Sequence, residues 1–403
     1  MKVVFITPVT PYKENMRGPS GHPYHLMVER PAGIDIVIYS FNQNHLPADT
    51  IDAVEQELGV EIRLLSNPKW ISWILKFHLT FVRLFLNYPI QYYVRLGKKT
   101  LDEINALHPD LVWLYCQEFS GLAHQLKDYP RLHTLPDCYS LHFYRRLALR
   151  SSVKNMTEYL RVLLMYRKHY RMESHYSTDE NVVYHLVGEE DAHFLHSIQP
   201  GINAHFIRHP HYEVSTNDNA KRFHQSKIRL LFAGRYDLYS QQAADEVLQL
   251  MCANGKGSVN KLKEHYFVTF LGKGWEKHVE VLKGAGYEVN HIRFAPDYIE
   301  EIRKHDIQMQ PLSVGTGTKG KVLDALANGL LVIGTPYALE NIAVKHGESC
   351  VEYRNPQEAV NVLLDIPNNI RKYETMAKDG QQQVLIHHNR ARISDQLFNL
   401  LKV

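Results

Sequence analysis

Short apolar runs alternate with helix-length stretches throughout this chain, and a glycine or a turn follows most of the runs. The runs occupy residues 3–6, 34–39, 111–115, 182–186, 228–232, 267–271, 307–311 and 331–334. Runs of this length are typical of strands that are buried on both faces of a parallel sheet, and the intervals are long enough for crossover helices. The alternation restarts after residue 227, so we predict an α/β fold with two doubly wound, Rossmann-type domains.

The length of 403 residues agrees with two domains, because one hydrophobic core rarely serves a chain this long. We place an N-terminal domain at residues 1–208, a linker at 209–227, a C-terminal domain at 228–375 and a final helical segment at 376–403. The linker is polar and rich in turn-forming residues, with no hydrophobic period.

The composition excludes several classes of protein. A net charge of +3 is too small to indicate a nucleic-acid partner. The four cysteines are far apart and form no Cys-x-x-Cys pair, and most of the 24 histidines are scattered singly, which indicates surface or core groups rather than metal ligands. No run of about 18 apolar residues indicates a membrane-spanning helix, and the first residues are predicted to form a strand rather than a signal peptide. We therefore expect a cytoplasmic protein that is soluble or peripheral to the membrane, with no metal site.

Two segments depart from the alternation. In the first, apolar side chains recur at helical spacing and basic side chains repeat every seven positions. The apolar set is Trp70, Trp73, Ile74, Phe77, Phe81, Leu84 and Phe85, and the basic set is Lys69, Lys76 and Arg83. The second segment, residues 159–170, has a similar mixture. Both are predicted to be amphipathic helices, which either face the core with solvated charges or lie on an anionic lipid surface.

The turn at residues 311–321 carries the strongest chemical signal. Gly315, Gly317 and Gly320 allow a close approach of the backbone to a ligand, and the good helix formers that follow place free N–H groups and a positive dipole end there. Lys319 and Lys321 add charges suited to phosphate. The alternative is a turn that only permits tight packing.

A second anion site is predicted where the run at 228–232 ends in Gly234 and Arg235, since an arginine at the carboxyl end of a strand points into the ligand crevice of an open sheet. Two cationic groups on strand ends of one domain indicate one polyanionic ligand. The glycines of the first turn also fit a dinucleotide fingerprint, with Glu340 at the distance expected of a ribose ligand. Gln308 and Gln310 in the preceding strand argue against an oxidoreductase.

In combination these segments resemble the large "group 1" family of retaining glycosyltransferases with the GT-B fold. Residues 231–235 resemble the phosphate-binding turn of that family, Gly272-Lys273-Gly274 its next glycine turn, and residues 315–336 its donor-site signature. The similarity extends over most of residues 228–403. The resemblance implies two facing domains with a cleft between them and a C-terminal segment that packs back on the first domain.

The resemblance is looser in the first half. Gly18 lies where such enzymes have a glycine-rich loop near the reacting centre, and residues 108–112 resemble a common strand entry. Asp137 lies where many members have an acidic residue or a histidine that faces the cleft.

Two departures from the family pattern are clear. Members usually have two glutamates eight positions apart around the donor, and those positions are Thr316 and Asp324 here. The lysine expected about six residues after the phosphate-turn arginine is replaced by residues 240–242, Ser-Gln-Gln. The resemblance therefore implies that Lys319 or Lys321 supplies the missing charge.

The resemblance implies the transfer of a sugar from a nucleoside-diphosphate-sugar to an acceptor hydroxyl with retention, and no Asp-x-Asp motif indicates a metal. Asp324 is expected to bond the ribose, and Glu340 the ribose or the sugar. The predicted donor-binding residues are Gly18, Gly234, Arg235, Gly272, Gly274, Thr316, Gly317, Thr318, Lys319, Lys321, Asp324 and Glu340, and the predicted catalytic residues are Arg235, Lys319 and Asp137. The acceptor is a saccharide or is lipid-linked, in cell-surface polysaccharide assembly. A nucleotide-sugar epimerase, a phosphorylase and a non-catalytic sugar-nucleotide-binding protein are the alternatives.

Overall fold

The computed structural model describes residues 1–14, 20–77, 79–149, 156–215, 223, 226–253 and 261–400. The described chain forms two compact units. The first contains the described residues up to Ala148, from Met156 to Pro210, and from Arg390 onward, and the second contains those from His211 to Asn389.

A parallel sheet of seven strands forms the centre of the first unit. Its strands are β1 (Lys2–Thr7), β2 (Asp35–Ser40), β3 (Glu61–Leu64), β4 (Leu111–Tyr115), β5 (Arg131–Leu135), β6 (Val182–Leu186) and β7 (Ala204–Phe206). They lie in the order β3-β2-β1-β4-β5-β6-β7. The connecting helices are α1 (Gly21–Val28), α2 (Ala48–Leu58), α3 (Lys69–Lys76), α4 (Lys98–Leu107), α5 (Tyr139–Ala148), α6 (Met156–Glu173) and α7 (Glu189–Ile198). Short 3-10 helices occupy Thr80–Phe85, Ile90–Tyr93 and Gln117–Gln125.

A second parallel sheet, of six strands, forms the centre of the second unit. Its strands are β8 (Ile228–Ala233), β9 (Tyr266–Leu271), β10 (Glu288–Ile292), β11 (Ile307–Gln310), β12 (Leu331–Gly334) and β13 (Val351–Glu352), in the order β10-β9-β8-β11-β12-β13. Its helices are α8 (Gln241–Cys252), α9 (Leu262–His265), α10 (Glu276–Gly284), α11 (Tyr298–Ile302), α12 (Gly320–Ala327), α13 (Pro336–Leu339), α14 (Pro356–Asp365) and α15 (Ile370–His387), with a 3-10 turn at Ile366–Asn368.

The central strands are apolar because both faces of each sheet are covered. In β1, Val3, Val4 and Phe5 are fully buried, and the ring of Phe5 lies 4.5 Å from that of Trp113 in β4. The eight strands predicted from the apolar runs are all present, each within two residues of its predicted ends. The α/β fold class is therefore confirmed.

The last helix, α16 (Arg390–Asn399), returns to the first unit. The Ser394 hydroxyl donates a 2.6 Å hydrogen bond to the carbonyl of Leu26 in α1, and the ring of Phe398 packs edge-on against Trp113 at 5.6 Å. The sequence placed the start of this segment at residue 376, which is too early. Residues 376–387 continue α15, whose Met376 and Val384 are buried in the second unit.

The predicted linker at 209–227 is divided between the units. His209 is buried in the first unit, whereas the backbone N–H of His211 donates to the carbonyl of His388 in the second. Ser215 bonds Asn328, and residues 216–222, 224 and 225 lie outside the described ranges.

The two amphipathic segments differ from the prediction in one respect. The first is not one continuous helix, since α3 ends at Lys76 and the 3-10 helix Thr80–Phe85 follows. The second lies within α6. Among the described helices, none is both long enough and apolar enough to cross a lipid bilayer.

Candidate functional site

Three loops of the second unit interlock at the carboxyl edge of its sheet, the edge at which all its parallel strands end. They follow β8, β9 and β11. The backbone N–H of Gly234 donates to the carbonyl of Leu271 over 2.8 Å, and that of Tyr236 to Lys273 over 2.9 Å. Ser313 closes the set, since its N–H donates to the carbonyl of Tyr239 over 2.7 Å. Residues that are far apart in the sequence thus line one edge, where ligands of open α/β sheets bind.

The glycines at this edge are required by close backbone contacts. A Cβ on Gly272 would lie 2.2 Å from the carbonyl oxygen of Gly234, and Gly272 has a φ of +137°. Gly234 has a φ of +124°, and its carbonyl also accepts a 2.8 Å hydrogen bond from the indole N–H of Trp275. A Cβ on Gly274 would lie 3.1 Å from the carbonyl oxygen of Tyr236. The two predicted glycine turns therefore form one backbone unit.

Lys321 joins the turn at residues 311–321 to the end of β8. Its side-chain carbons lie 3.7 Å from the place where a Cβ of Gly234 would be. Its ammonium lies 4.7 Å from the ring centroid of Tyr298, a cation–π distance. Because Lys321 is also the second residue of α12, its charge adds to the positive dipole end of that helix.

Lys319 has a different environment from the one predicted. Its ammonium donates to the carbonyls of Thr316 and Gly317, over 2.7 and 2.9 Å, so it closes its own turn. The amide of Asn341 donates to the same Gly317 carbonyl over 3.0 Å. Asn341 has a φ of +68° and was not among the predicted site residues. Lys319 and Asn341 together fix the backbone of Gly317, which itself has a φ of +60°.

Asp324 lies on α12 with little exposure to solvent. Burial raises the pKa of its carboxyl group to about 7, against the opposing effect of the Lys321 charge. Its Oδ1 atom accepts no hydrogen bond from any described residue, and the same holds for the buried hydroxyl of Tyr298. Burial, followed by the Asp324 charge, raises the pKa of Tyr298. Two unsatisfied polar atoms beneath Lys321 are unusual, because buried polar groups are normally paired.

The remaining predicted residues lie as follows. Thr316 is buried in its turn, Thr318 follows Gly317, and Arg235 is exposed directly after Gly234. Glu340 is half-buried at the end of α13, beside Asn341, and its backbone N–H donates to the carbonyl of Pro336.

The last two predicted residues are Asp137 and Gly18. Asp137 lies in the first unit, two residues after β5. Burial, together with the charges of Glu118 and Asp137, raises the pKa of the Cys116 thiol, which places Asp137 near the carboxyl end of β4. Gly18 lies outside the described residues. Across the described ranges, no three His, Cys, Asp or Glu side chains are close enough to share a metal ion.

Part of the chain matches a known protein family. Residues 257–399 match the family model described as glycosyl transferase-like. No curated protein matches the chain.

Several solved structures are similar over the whole chain. HepE from Anabaena, in complex with UDP and glucose, is 13% identical with a TM-score of 0.65, and the match covers 100% of this chain and 99% of HepE. Sucrose-phosphate synthase from Thermosynechococcus elongatus is 12% identical with a TM-score of 0.63, covering 100% and 98%. A glycosyltransferase from Rickettsia africae is 11% identical with a TM-score of 0.63, covering 100% and 97%. Similarity at this level of identity shows a shared fold.

The GT-B-like fold is thus confirmed, and the match of residues 257–399 to the glycosyl transferase-like family model agrees with the resemblance to group 1 glycosyltransferases.

Proposed function

We propose that this protein is a glycosyltransferase that moves a sugar from a nucleoside-diphosphate-sugar to a hydroxyl group of a saccharide or lipid-linked acceptor. The transfer proceeds with retention at the anomeric carbon and without a metal ion, in the assembly of a cell-surface polysaccharide. The observation that carries the proposal is the contact of Lys321 with Gly234, because it joins a cationic helix start to a glycine turn at one edge of the sheet.

This edge has the chemistry that a departing diphosphate needs. When the bond between the sugar and the diphosphate breaks, negative charge develops on the leaving oxygens, and fixed positive groups lower the barrier. Arg235 and Lys321 supply full charges, and the first turn of α12 supplies backbone N–H groups and the positive end of the helix dipole. In this role, side-chain cations and the helix dipole take the place of a metal ion.

We propose different roles for the two lysines. Lys319 donates hydrogen bonds to the carbonyls of Thr316 and Gly317, so we propose that it stabilises the conformation of the phosphate turn. We propose that the ammonium of Lys321 contacts the diphosphate directly. The unsatisfied Oδ1 of Asp324 fits a ribose hydroxyl donor, and Glu340 is assigned to the ribose or the sugar. Asp137, in the first unit, is assigned to the acceptor side.

The comparisons support a nucleotide-sugar donor. HepE was solved with UDP and also with UDP-glucose, and its fold is shared over the whole of this chain. We infer that this chain also binds a nucleoside diphosphate, because its glycine turns and cationic side chains lie at the carboxyl edge of a parallel sheet, where such ligands bind.

The second candidate is a protein that binds a sugar nucleotide without transferring the sugar. Thr316 and the buried Asp324 favour it, since they stand at the two positions where the family resemblance expects glutamates. The two candidates share a binding site and differ in turnover.

Calorimetry with nucleoside diphosphates tests the binding site. UDP, GDP and ADP are titrated into the wild-type protein with and without magnesium, and we expect one of them to bind without it. Arg235→Ala and Lys321→Ala should each weaken that binding by about 1.5–3 kcal/mol, the range for hydrogen bonds to charged groups. The exposed Lys277 of α10 provides a matched control, and Lys277→Ala should leave the affinity unchanged.

Lys319→Ala should weaken binding to a similar extent, and Lys319→Gln less, because an amide can still donate to one of the turn carbonyls. Unchanged affinity in both Arg235→Ala and Lys321→Ala would remove the donor site from this edge. Release of nucleoside diphosphate from the matching sugar nucleotide then separates the two candidates, since tight binding with no release, with or without saccharide acceptors, would favour the non-catalytic one.

A further inference from the structure

An exposed apolar surface covers part of the first unit, formed by α3, the 3-10 helix Thr80–Phe85 and the first half of α6. The large side chains exposed on it are Trp70 (41%), Trp73 (65%), Phe77 (57%), Phe81 (57%), Leu84 (60%), Phe85 (80%), Met156 (70%), Tyr159 (40%) and Leu160 (56%). Ile71 and Val162 point the other way and are buried, which anchors each segment to the unit. Soluble monomers rarely expose this many large apolar groups together unless something binds there.

The two segments are joined to each other. The ammonium of Lys168 in α6 donates to the backbone carbonyl of Arg83. One turn further along α6, Arg171 donates to the side chain of Asn87 over 3.3 Å and lies 5.8 Å from the ring centroid of Tyr88. The exposed groups therefore lie on linked segments of one unit, and we call them together the aromatic-basic surface.

The charge of the segments that form this surface is mainly positive. Residues 62–101 contain no aspartate or glutamate, whereas they contain Arg63, Lys69, Lys76, Arg83, Arg95, Lys98 and Lys99. Residues 138–172, which include α5 and all of α6 except its last residue, Glu173, contain eight lysines and arginines and a single acidic residue, Glu158, which is paired with Arg146 at 3.7 Å. Because the whole chain carries only +3, the rest of it is net acidic.

We propose that the aromatic-basic surface docks the first unit on an anionic lipid bilayer. Tryptophan and phenylalanine side chains enter the boundary between headgroups and acyl chains, while Lys69, Lys76, Arg83 and Arg161 contact the lipid phosphates. A second copy of the chain fits less well, because a twofold dimer would place the same cationic patch against itself.

The aromatic-basic surface lies on elements that follow the carboxyl ends of the strands in the first unit. α3 follows the carboxyl end of β3, and α5 and α6 follow the carboxyl end of β5, where Asp137 lies. The Glu173 carboxylate at the end of α6 accepts hydrogen bonds from the backbone N–H groups of Tyr139 and Ser140, which holds α6 against that end. If the proposed function holds, a bilayer on this surface lies beside the acceptor side of the unit, so the acceptor is lipid-linked.

Tryptophan fluorescence and co-sedimentation with vesicles test the docking. The chain has four tryptophans, of which Trp113 and Trp275 are buried and Trp70 and Trp73 belong to the surface. Vesicles of phosphatidylglycerol and phosphatidylcholine should sediment the full-length protein at low salt and shift its emission to the blue, and pure phosphatidylcholine should do so far less. The double variant Trp70→Phe, Trp73→Phe should keep the sedimentation and lose the spectral shift.

Charge variants provide the quantitative test. A lysine or arginine near an anionic surface contributes about fivefold to partitioning, so the triple variant Lys69→Gln, Lys76→Gln, Arg83→Gln should bind roughly a hundredfold more weakly. The contact from Lys168 survives in it, because that contact uses the Arg83 backbone. A matched triple variant of exposed lysines in the second unit, Lys277→Gln, Lys283→Gln, Lys378→Gln, should bind like the wild type.

Three results would overturn the proposal: equal binding to neutral and anionic vesicles, equal binding by the two triple variants, or no binding at all. A dimer in solution that Trp73→Ser with Phe85→Ser converts to a monomer would assign the surface to a second copy instead. The vesicle assay contains no nucleotide and the calorimetry contains no lipid, so failure of this proposal is distinguishable from failure of the proposed function.

Discussion

The close approach of Gly272 to Gly234 is the residue-scale feature on which the proposed nucleotide site depends most. Gly272→Ala would place a methyl group 2.2 Å from a backbone oxygen, at a φ of +137° that only glycine adopts readily. Since neither backbone can move without breaking the hydrogen bonds of β8 and β9, we expect a loss of about 3 kcal/mol or more in the free energy of unfolding. Urea unfolding measures it.

Gly284→Ala is the control for that substitution. Gly284 ends α10 in the same unit. A methyl group added to it would have no atom of another described segment within 4 Å. It is also not among the residues with positive φ. The alanine variant should be neutral or more stable by about 0.5–1 kcal/mol. Similar losses in both variants would mean that the close approach of Gly272 and Gly234 does not hold.

Individual residues also show where the sequence stops being informative about the site. Gly234, Gly272 and Lys321 were predictable because glycine and lysine are seldom needed at a strand end except for a close backbone approach or an anion. The bonds of Lys319 to its own turn depend on the path of the backbone, which residue types do not specify. Asn341 reaches Gly317 from a loop 24 positions away, with no local pattern to mark it.

At the scale of elements, the sequence predicted eight of the described strands and missed five, β3, β5, β7, β10 and β13. β3 and β10 lie at the edges of their sheets, and their side chains are half-buried or exposed. β7 and β13 have only three and two residues, too few for a pattern. β5 is fully buried yet contains Arg131 and His133, whose Nη1 and Nε2 atoms form hydrogen bonds with the carbonyls of Ala123 and Cys116, and this polar content hides it from a search for apolar runs.

Three elements of the first unit bring histidines together in its interior. His22 of α1 lies 4.5 Å from the ring of His209, which follows β7, and 5.9 Å from that of His185 in β6. Burial lowers the pKa of His185 and His209 to about 4 each, and that of His22 well below its ordinary value. The unfolded chain therefore binds protons between about pH 6.5 and 4 that the folded chain excludes.

The first unit should accordingly lose stability as the pH falls through this window, by about 2 kcal/mol for each such histidine at pH 5. Glu173 acts in the opposite direction, because burial raises the pKa of its carboxyl group to about 7 and the folded state gains a proton there first. The histidines outnumber it, so the net change is a loss.

Urea unfolding at pH 5, 6 and 7.5 measures this loss. His209→Asn should reduce the slope of stability against pH, whereas replacement of the exposed His193 of α7 by Gln should leave the slope unchanged. An identical slope in the wild type and His209→Asn would show that His209 does not exclude a proton in the folded state.

At the scale of the whole molecule, the two proposals assign different ligands to different units. The cations and glycines of the proposed nucleotide site belong to the second unit, and the aromatic-basic surface belongs to the first. A fold class alone does not make this division, since the two sheets are built alike. The division rests on which strand ends carry glycine and lysine, and on which helices carry exposed aromatic side chains.

Hydrogen exchange in the intact protein tests that division directly. A bound ligand slows exchange where it contacts or orders the backbone. The nucleoside diphosphate that binds in calorimetry should protect amides at residues 234–240, 272–274 and 313–321, whereas anionic vesicles should protect those at 69–85 and 156–166. Nucleotide protection of 313–321 should be lost in Arg235→Ala and retained in the triple variant of Lys69, Lys76 and Arg83. Vesicle protection of 69–85 and 156–166 should be lost in the triple variant and retained in Arg235→Ala. Nucleotide protection that leaves 313–321 unchanged would place the donor elsewhere, and vesicle protection confined to the second unit would transfer the lipid contact away from the aromatic-basic surface.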